Sequence, residues 1–327
     1  MKIALINDHP SGTGIYSYNW EIYRNLLQHG IQVKLYQFGG NGTAGALKSV
    51  IMPRIRRPNL SGYIIHISNP NLGFIPGTFM TVHDLYYLRY RSTSRAWSWY
   101  CKASYKHIAK AKMVIVNSHS TEEEVKRELG VNASVVYPSV GPEFKKVGRR
   151  ADPWPGKRAL IHVGHDMPNK NITAILKALK ILPDSYVLVR VGHDSDGLIR
   201  EVSDLALESR YRNVAMDSAE GLASLYRGSF ALAFPSLYEG FGIPPIEAMA
   251  SGLPVVCSDR GGLKESAGGN ALIVNPEDPR SIADAVLSLE DQGLYKRLSD
   301  AGSVNAARFS HENQFRQLIS AYSSVEL

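Results

Sequence analysis

The sequence predicts an α/β protein built from two doubly wound domains, each with a parallel sheet. Short apolar segments typical of buried strands alternate with amphipathic helical segments along nearly all of the 327 residues. The alternation pauses once, at residues 143–158, where a charged stretch contains two prolines, and then restarts. Because 44% of the residues are hydrophobic and the chain is long, we expect two separate cores.

The first half contains six predicted strands, with the sequences KIALIN, IQVKLYQF, GYIIHI, GTFMTVHD, AKMVIVNS and SVVYP. Residues 17–29 predict a helix that Gly30 follows. The segment SHSTEEEVKRELG predicts a second helix, with Ser120 as its N-cap, Glu123 completing a capping box and Gly130 after its end.

The second half repeats the alternation, with RALIHVG, SYVLVRVG, FALAFPS and LPVVCSD as strands and a final helix at residues 311–325. We therefore predict an N-terminal domain of residues 1–145, joined by residues 311–327, and a C-terminal domain of residues 146–310. Ligands of such sheets bind at the carboxyl ends of the strands.

Charge is unevenly distributed along the chain. Residues 1–150 carry 20 basic and 8 acidic side chains, and residues 151–327 carry 17 and 22, so the halves have balances of +12 and −5. A basic half suggests an anionic partner, which could be nucleic acid, a membrane surface or a phosphorylated substrate, although a solvated basic surface would look the same.

Other features of composition exclude several classes of protein. No apolar run is long enough to span a membrane, and the chain starts directly as a strand rather than as a signal peptide. Two cysteines are too few for a disulfide framework or a zinc site. We expect a cytoplasmic protein.

The stretch YEGFGIPPIEAM, residues 238–249, places Glu239 and Glu247 eight positions apart at the end of a predicted strand. Gly240 and Gly242 would let the backbone approach a ligand, and the prolines suit the first turn of a helix whose N-terminus favours phosphate. Carboxylates repel phosphate, so we expect them to accept hydrogen bonds from hydroxyls. A sugar nucleotide offers both groups, although either glutamate alone could simply complement the helix dipole.

The full string SLYEGFGIPPIEAMASGLPVV closely resembles the E-x7-E signature of retaining glycosyltransferases of family 4. Six further segments resemble family motifs in the expected order: PSGTGIYSYNWEIYRNLLQHG, TVHDL, VNSHST, VYPSVG, LIHVGHDMPNKNI and SDRGGLKES. The resemblance implies the GT-B fold, in which two Rossmann-like domains face a cleft, and a C-terminal helix that packs back on the N-terminal domain.

The resemblance also implies roles for the loop residues. Glu247 would bind the nucleotide ribose hydroxyls, and Glu239 would lie near the transferred sugar, where its role is disputed for retaining enzymes and is not assigned here as that of a general base. Backbone amides near the sugar and diphosphate would come from Gly240, Phe241, Gly242 and Ile243.

Lys170 matches the lysine that binds the diphosphate in this family, and Gly164 and His165 would border the same group. Here the chain departs from the family pattern at two positions. His165 stands where many members have arginine, and Asn169 stands where members with the sequence P-R-K-N have arginine. A neutral histidine stabilises a diphosphate less well than arginine does.

Three residues of the N-terminal half complete the implied site. Gly12 and Gly14 would form a loop facing the diphosphate, although the same glycines could form a simple turn. His83, after the predicted strand FMTV, would contact the donor sugar or position the acceptor, although a lone histidine at a strand end is more often structural.

Two other segments invite a different interpretation. GHDSDG, at residues 192–197, contains the D-x-D of metal-dependent GT-A enzymes, but the chain order favours an acidic surface loop. Residues 95–112 are basic and aromatic and, with PRIRRP at 53–58, could form a surface for anionic lipids; the aromatic side chains could equally belong to the core.

The sequence thus predicts a retaining hexosyltransferase that needs neither a metal nor another cofactor. It would move a hexose from a GDP- or UDP-linked donor, first of all mannose from GDP-mannose, to a hydroxyl of a glycan or lipid-linked glycan. Expected partners are the nucleotide sugar, the acceptor and an anionic membrane inner face, not nucleic acid. A non-catalytic scaffold subunit and a sugar-nucleotide epimerase of GT-B fold remain alternatives.

Overall fold

A computed structural model describes residues 1–7, 14–37, 60–68, 70, 78–90 and 95–324. The chain divides into two compact units, one of Met1–Ser139 with Ser310–Leu327 and the other of Val140–Phe309. Within the described residues, each unit contains a parallel sheet of six strands flanked by helices. The predicted fold class is therefore confirmed.

The first unit has the strand order β2-β1-β3-β4-β5-β6. Its strands are β1 (Lys2–Asn7), β2 (Gln32–Gln37), β3 (Ile64–Ile67), β4 (Phe79–Val82), β5 (Met113–Val116) and β6 (Ser134–Val135). Its helices include α1 (Gly14–Gln28), α2 (Tyr86–Arg89), α3 (Arg95–Ser104) and α4 (His119–Leu129). Each of the six strands predicted in this half is confirmed in position, although the structure makes most of them shorter.

Helix α4 shows where local sequence signals mislead. Its N-cap is Ser118, whose hydroxyl accepts a hydrogen bond from the Thr121 amide at 3.0 Å, so the prediction of Ser120 is wrong by two positions. Both serines suit the role chemically, and Ser118 takes it because its backbone is extended while the next residue is already helical. The end at Gly130, which adopts φ +68°, is confirmed.

The second unit has the strand order β12-β11-β10-β7-β8-β9. Its strands are β7 (Arg158–Val163), β8 (Tyr186–Val191), β9 (Tyr211–Asn213), β10 (Ala231–Phe234), β11 (Val255–Cys257) and β12 (Leu272–Ile273). Its helices include α5 (Ile172–Ile181), α6 (Asp196–Asp204), α7 (Ala219–Gly228), α8 (Ile243–Ala250), α9 (Leu263–Ala267), α10 (Pro279–Ser288) and α11 (Gln292–Ala306). The predicted strands of this half are all present, whereas β9 and β12 were not predicted.

The packing of strand β7 shows why the central strands have continuous apolar sequences. Leu160 packs in the core on one face of the sheet, and Ala159 and Ile161 pack in the core on the other face. Both faces are covered by helices, so neither set of alternating side chains needs to be polar.

The last helix, α12 (His311–Ser323), packs on the first unit although it follows the second unit in the chain. Leu318 and Tyr322 lie fully buried in a core with Ile22 of α1. The side-chain amide of Asn25 donates to the His311 carbonyl at 2.7 Å, which joins the start of α12 to α1. No helix in the described ranges is long and apolar enough to cross a membrane.

Candidate active site

The candidate site of the second unit lies where the strand order reverses. Strand β7 is paired with β8 on one side and with β10 on the other, so the loops after β7 and β10 leave the same sheet edge in opposite directions. Such a switch point opens a crevice at the carboxyl ends of the strands. The loop after β7 leads to Lys170, and the loop after β10 contains Glu239.

These two side chains form an ion pair. Lys170 Nζ lies 2.7 Å from Glu239 Oε1, and the side chains are 20% and 11% exposed. Lys170 Nζ also lies 5.1 Å from the ring centroid of Phe234, at the end of β10. The cation therefore has a fixed position over an aromatic face, with a carboxylate beside it.

Asparagines hold the lysine turn, Pro168–Lys170, against the glutamate loop. Asn169 is only 7% exposed, and its side-chain amide donates to the Tyr238 carbonyl at 2.9 Å. Its own carbonyl accepts from the Leu237 amide at 2.7 Å. Asn171 donates to the carbonyl of Pro235 at 3.0 Å. Asn169 therefore positions the two loops relative to each other. Its comparison with the arginine of the P-R-K-N sequence had not indicated this role.

The glutamate loop itself packs against the loop that leads into α9. Gly242 has φ +95° and is the N-cap of α8, and a Cβ atom there would lie 2.5 Å from Leu263 Cδ2. Gly261 has φ +58°, and a Cβ atom there would lie 2.2 Å from the Glu239 carbonyl oxygen. The Gly262 amide donates to that oxygen at 3.0 Å. A backbone this close excludes side chains, which explains the glycines of both loops.

Glu247 lies on α8, and one of its oxygens is held by a buried tyrosine. The hydroxyl of Tyr226, on α7, donates to Glu247 Oε2 at 3.1 Å. Burial, and after it the neighbouring carboxylate, raise the pKa of Tyr226 well above its usual value, so the hydroxyl keeps its proton. Tyr226 thus orients the carboxylate, and sequence patterns had not indicated it.

A buried histidine supports the site from within β7. His162 Nδ1 lies 3.0 Å from the Ala233 carbonyl, which only accepts, so Nδ1 carries the ring proton. Burial, and then the charge of Arg190, lower the pKa of His162 to about 3, so the ring is neutral. A Cβ atom at Gly164 would lie 3.5 Å from Lys170 Cε and 4.0 Å from His162 Nε2, which places the three residues side by side.

The segment GHDSDG is not simply an acidic surface loop, as the sequence had suggested, because Asp194 is paired internally. Arg190, which is fully buried, donates from Nε to Asp194 Oδ1 at 2.6 Å, and the Tyr211 hydroxyl donates to Oδ2 at 2.7 Å. Although burial opposes it, hydrogen bonds from Tyr211, Asn213 and Arg190 lower the pKa of Asp194. The described ranges contain no cluster of three or more potential metal ligands.

The predicted residues of the first unit are placed separately. Gly12 lies outside the described residues, and Gly14 is the first residue of α1. His83 follows β4, and its ring meets the edge of the Tyr18 ring with centroids 4.8 Å apart. In the second unit, His165 is exposed directly after Gly164. The contacts of the second unit thus join Lys170 to Glu239 and place Gly164 beside Lys170. The other predicted residues follow Glu239 along the same loop and into α8, namely Gly240, Phe241, Gly242, Ile243 and Glu247.

The second unit is similar to a known protein family. Residues 145–305, which contain every one of those residues, match the family described as Glycosyl transferases group 1. The matched residues lie entirely within the second unit, Val140–Phe309.

Two curated relatives match about half of the chain. The O-antigen chain mannosyltransferase RfbU of Salmonella typhimurium is 33% identical over 189 residues, which are 56% of this chain and 52% of the relative. The O-antigen chain mannosyltransferase B of Escherichia coli is 35% identical over 170 residues, 50% of this chain and 45% of the relative. The chain thus spans about half the length of the curated relatives that it matches.

Solved structures match the whole fold at lower identity. Sucrose-phosphate synthase from Thermosynechococcus elongatus superposes with a TM-score of 0.83 at 20% identity, covering 99% of both chains. Anabaena HepE in complex with UDP-glucose has a TM-score of 0.77 at 18% identity, covering 99% of this chain and 100% of the other. The neighbours are GT-B glycosyltransferases, which establishes the fold.

Proposed function

We propose that the protein is a retaining, metal-independent glycosyltransferase that moves a hexose from a nucleotide diphosphate sugar to a hydroxyl of a glycan or lipid-linked glycan. The observation that carries this proposal is the Lys170–Glu239 ion pair at the switch point, next to the N-terminus of α8. It puts a cation, a helix dipole and a carboxylate together where ligands of such sheets bind.

Each of these groups has a distinct task in the proposed reaction. Lys170 and the amides at the start of α8 stabilise the negative charge that develops on the departing diphosphate, so no metal is needed for that purpose. Glu247, with one oxygen held by Tyr226, accepts hydrogen bonds from the ribose hydroxyls. Glu239 lies beside the transferred sugar. The acceptor hydroxyl forms the new glycosidic bond and passes its proton to the leaving diphosphate oxygen, so Glu239 is not the base.

Mannose from GDP-mannose is our first choice of donor. Support comes from the two relatives named as O-antigen chain mannosyltransferases, which are 33% and 35% identical to this chain over the matched residues, whereas the protein solved with UDP-glucose is 18% identical. Glucose from UDP-glucose is the second choice, supported by the structural similarity to a protein solved with that ligand.

The acceptor side is proposed to work at an anionic membrane surface. Trp99 on α3 is 73% exposed, and the exposed cations Arg95 and Lys102 precede and follow it at helical spacing. Lys106 and Lys110 are exposed in the 3-10 helix Tyr105–Lys110 that follows. A basic face with an exposed tryptophan suits a lipid headgroup layer. The predicted segment PRIRRP at 53–58 lies outside the described residues.

Calorimetric titration of GDP, UDP, ADP and their sugar conjugates, with EDTA present, tests the proposal. The chain is compared with Glu247→Ala and with Glu220→Ala, a matched control in which an exposed glutamate is removed from the first turn of α7. We expect one base to bind, Glu247→Ala to weaken it by about tenfold or more, and Glu220→Ala to leave it unchanged.

The outcomes separate the alternatives. Selective binding that depends on Glu247 supports the site and identifies the donor base. If no nucleotide binds, the catalytic proposal fails and the scaffold alternative replaces it. Conversion of the donor to an isomer without any acceptor would instead indicate an epimerase.

A further inference from the structure

The ion pair between Lys170 and Glu239 is held in place from both of its loops. Next to the pair, the side-chain amide of Asn169 donates to the Tyr238 carbonyl at 2.9 Å, which joins the residues that precede the two charges. The Glu239 carbonyl accepts from the Gly262 amide at 3.0 Å, and the glutamate side chain is only 11% exposed. These contacts keep the Glu239 carboxylate close to Lys170 Nζ.

The ion pair places a negative charge where the proposed function needs a positive one. Lys170 is the cation proposed for the diphosphate, and its Nζ lies 2.7 Å from Glu239 Oε1. A phosphate oxygen that approaches the ammonium has to share or replace this contact, and the carboxylate repels it at the same time. Salt screens charges in a partly buried site less than it screens exposed charges. Glu239 therefore opposes the phosphate charge that Lys170 attracts.

A nucleoside diphosphate and its sugar conjugate differ in the charge that they bring to this ion pair. In the conjugate, the terminal phosphate carries the sugar on one oxygen and holds a single negative charge. In the free diphosphate, the same phosphate ionises a second time with a pKa of about 6, so it carries about two negative charges at about pH 8. Only the conjugate brings sugar hydroxyls, which can donate hydrogen bonds to a carboxylate. The free diphosphate thus meets more repulsion from Glu239, without hydrogen bonds that offset it.

We propose that Glu239 is a specificity-determining residue, which favours the sugar conjugate over the free diphosphate and so promotes release of the product. This inference rests on the proposed function, in which the bond from the sugar to the diphosphate oxygen breaks and that oxygen takes the proton of the acceptor hydroxyl. When the proton passes on to water, the diphosphate gains a negative charge beside Glu239. The carboxylate that accepts hydrogen bonds from the donor sugar then repels the product.

The test is calorimetric titration at about pH 8, with EDTA present, of three ligands that separate charge from hydroxyl contacts. The free diphosphate has the extra charge, the sugar conjugate has the sugar hydroxyls, and the β-methyl ester has neither. One series consists of GDP, GDP-mannose and GDP β-methyl ester, and the other of the corresponding UDP ligands with glucose as the sugar. The unaltered protein is compared with Glu239→Gln and with Glu220→Gln, a matched control that removes an exposed negative charge from α7.

We expect Glu239→Gln to bind the free diphosphate about tenfold more tightly, because Lys170 is no longer paired with a carboxylate and the repulsion is removed. The methyl ester should gain less, about threefold, since it lacks the second charge. The sugar conjugate should gain nothing or lose affinity, because it loses a charged acceptor for its hydroxyls. Glutamine keeps the size of the side chain, so the loop and the amides that start α8 stay in place. Glu220→Gln should leave all three affinities unchanged.

A conservative variant separates the charge of Glu239 from the fit of its side chain. Glu239→Asp keeps the negative charge and shortens the side chain by one methylene. If charge sets the preference, the ratio of the two affinities, for free diphosphate and for sugar conjugate, should stay closer to that of the unaltered protein than to that of Glu239→Gln. A ratio in Glu239→Asp that equals the ratio in Glu239→Gln would contradict the electrostatic argument.

The outcomes distinguish this inference from the proposed function. If nucleotide binding depends on Glu247 but Glu239→Gln does not bind the free diphosphate more tightly, the inference is overturned and the proposed function stands. An equal gain for all three ligands would also overturn it, since Glu239 would then not discriminate among them. Absence of nucleotide binding in every variant would overturn both. If Glu239→Gln failed to fold, Glu239→Ala, which also removes the charge, would take its place.

Discussion

The contact between the glutamate loop and Gly261 makes a sharp prediction about Gly261→Ala. Alanine at this position must adopt φ +58°, and its Cβ would lie 2.2 Å from the Glu239 carbonyl oxygen. Gly269 provides the matched control, since it has φ +76° with no atom within 4 Å of a Cβ built there. The two variants share the backbone penalty, and only Gly261→Ala disturbs the loop.

The magnitudes follow from these distances. The left-handed conformation costs an alanine about 1–2 kcal/mol in either variant. In Gly261→Ala, the Cβ and the carbonyl oxygen must move apart from 2.2 Å to at least 3.0 Å, and overpacking of this kind costs about 1–3 kcal/mol more. Because Glu239 moves with its own carbonyl, and a displacement of about 1 Å can cost about 100-fold in rate, turnover should fall far more than stability.

The assay compares urea unfolding, nucleotide affinity and donor turnover for the two variants. We expect Gly269→Ala to lose about 1–2 kcal/mol of stability with affinity and turnover unchanged. Gly261→Ala should lose more stability, bind nucleotide about tenfold or more weakly and turn over about 100-fold more slowly. Equal turnover in the two variants would refute the reasoning that the loop contact positions Glu239.

Three further predictions concern ionisable side chains that are buried or partly buried. Lys170→Met should weaken nucleoside diphosphate binding by about tenfold or more, measured by calorimetry, because it removes the cation proposed for the diphosphate. His162 has a pKa of about 3 when folded, below the usual 6.5, so the unfolded chain takes up its proton first. The stability from its neutral form is complete above pH 6.5 and falls by about 3–5 kcal/mol as the pH drops towards 3, and His162→Asn should lessen this slope in urea unfolding. Arg190→Met should cost about 3–5 kcal/mol of unfolding free energy because it leaves the largely buried Asp194 carboxylate without its cation, and adding Asp194→Asn should restore part of it.

Each of these predictions has a control and a contrary outcome. Lys177→Met removes an exposed lysine of α5 and should leave affinity unchanged; a similar loss in both lysine variants would contradict the role of Lys170. His119→Asn removes a histidine with a 61% exposed side chain and should preserve the acid slope. No recovery in the Arg190/Asp194 double variant would mean that the arginine stabilises by packing rather than by its ion pair.

The sequence alone was sufficient for the architecture, because the signals involved are local. Strands β7 and β10 are buried on both faces and therefore appear as unbroken apolar runs. The glycines and prolines of residues 238–249 mark a loop followed by a helix start, which is what the structure shows at α8. Strands β9 and β12 were missed because they are short and partly exposed, so neither forms a buried apolar run as the equally short β11 does.

The hydrogen-bond and ion-pair partners of the side chains could not be predicted from the sequence, because each pair joins residues that lie in different elements of the fold. Asp194 looked like a surface acid until its position beside buried Arg190 and Tyr211 was known. In the sequence, Asn169 was notable only as the replacement of an arginine. In the structure, its side-chain amide donates to the carbonyl of Tyr238, 69 positions away, and so holds the glutamate loop.

By itself, then, the sequence determined the positions of ten of the twelve strands and which loops carry the glycines, the lysine and the two glutamates. Backbone propensity and burial act over a few residues and leave their mark on the chain. Only the tertiary structure decided that Lys170 meets Glu239 and that Tyr322 meets His66, 256 positions before it. Hydrogen bonds and ion pairs require contact within about 3 Å, and that contact exists only after the sheets have brought distant segments together.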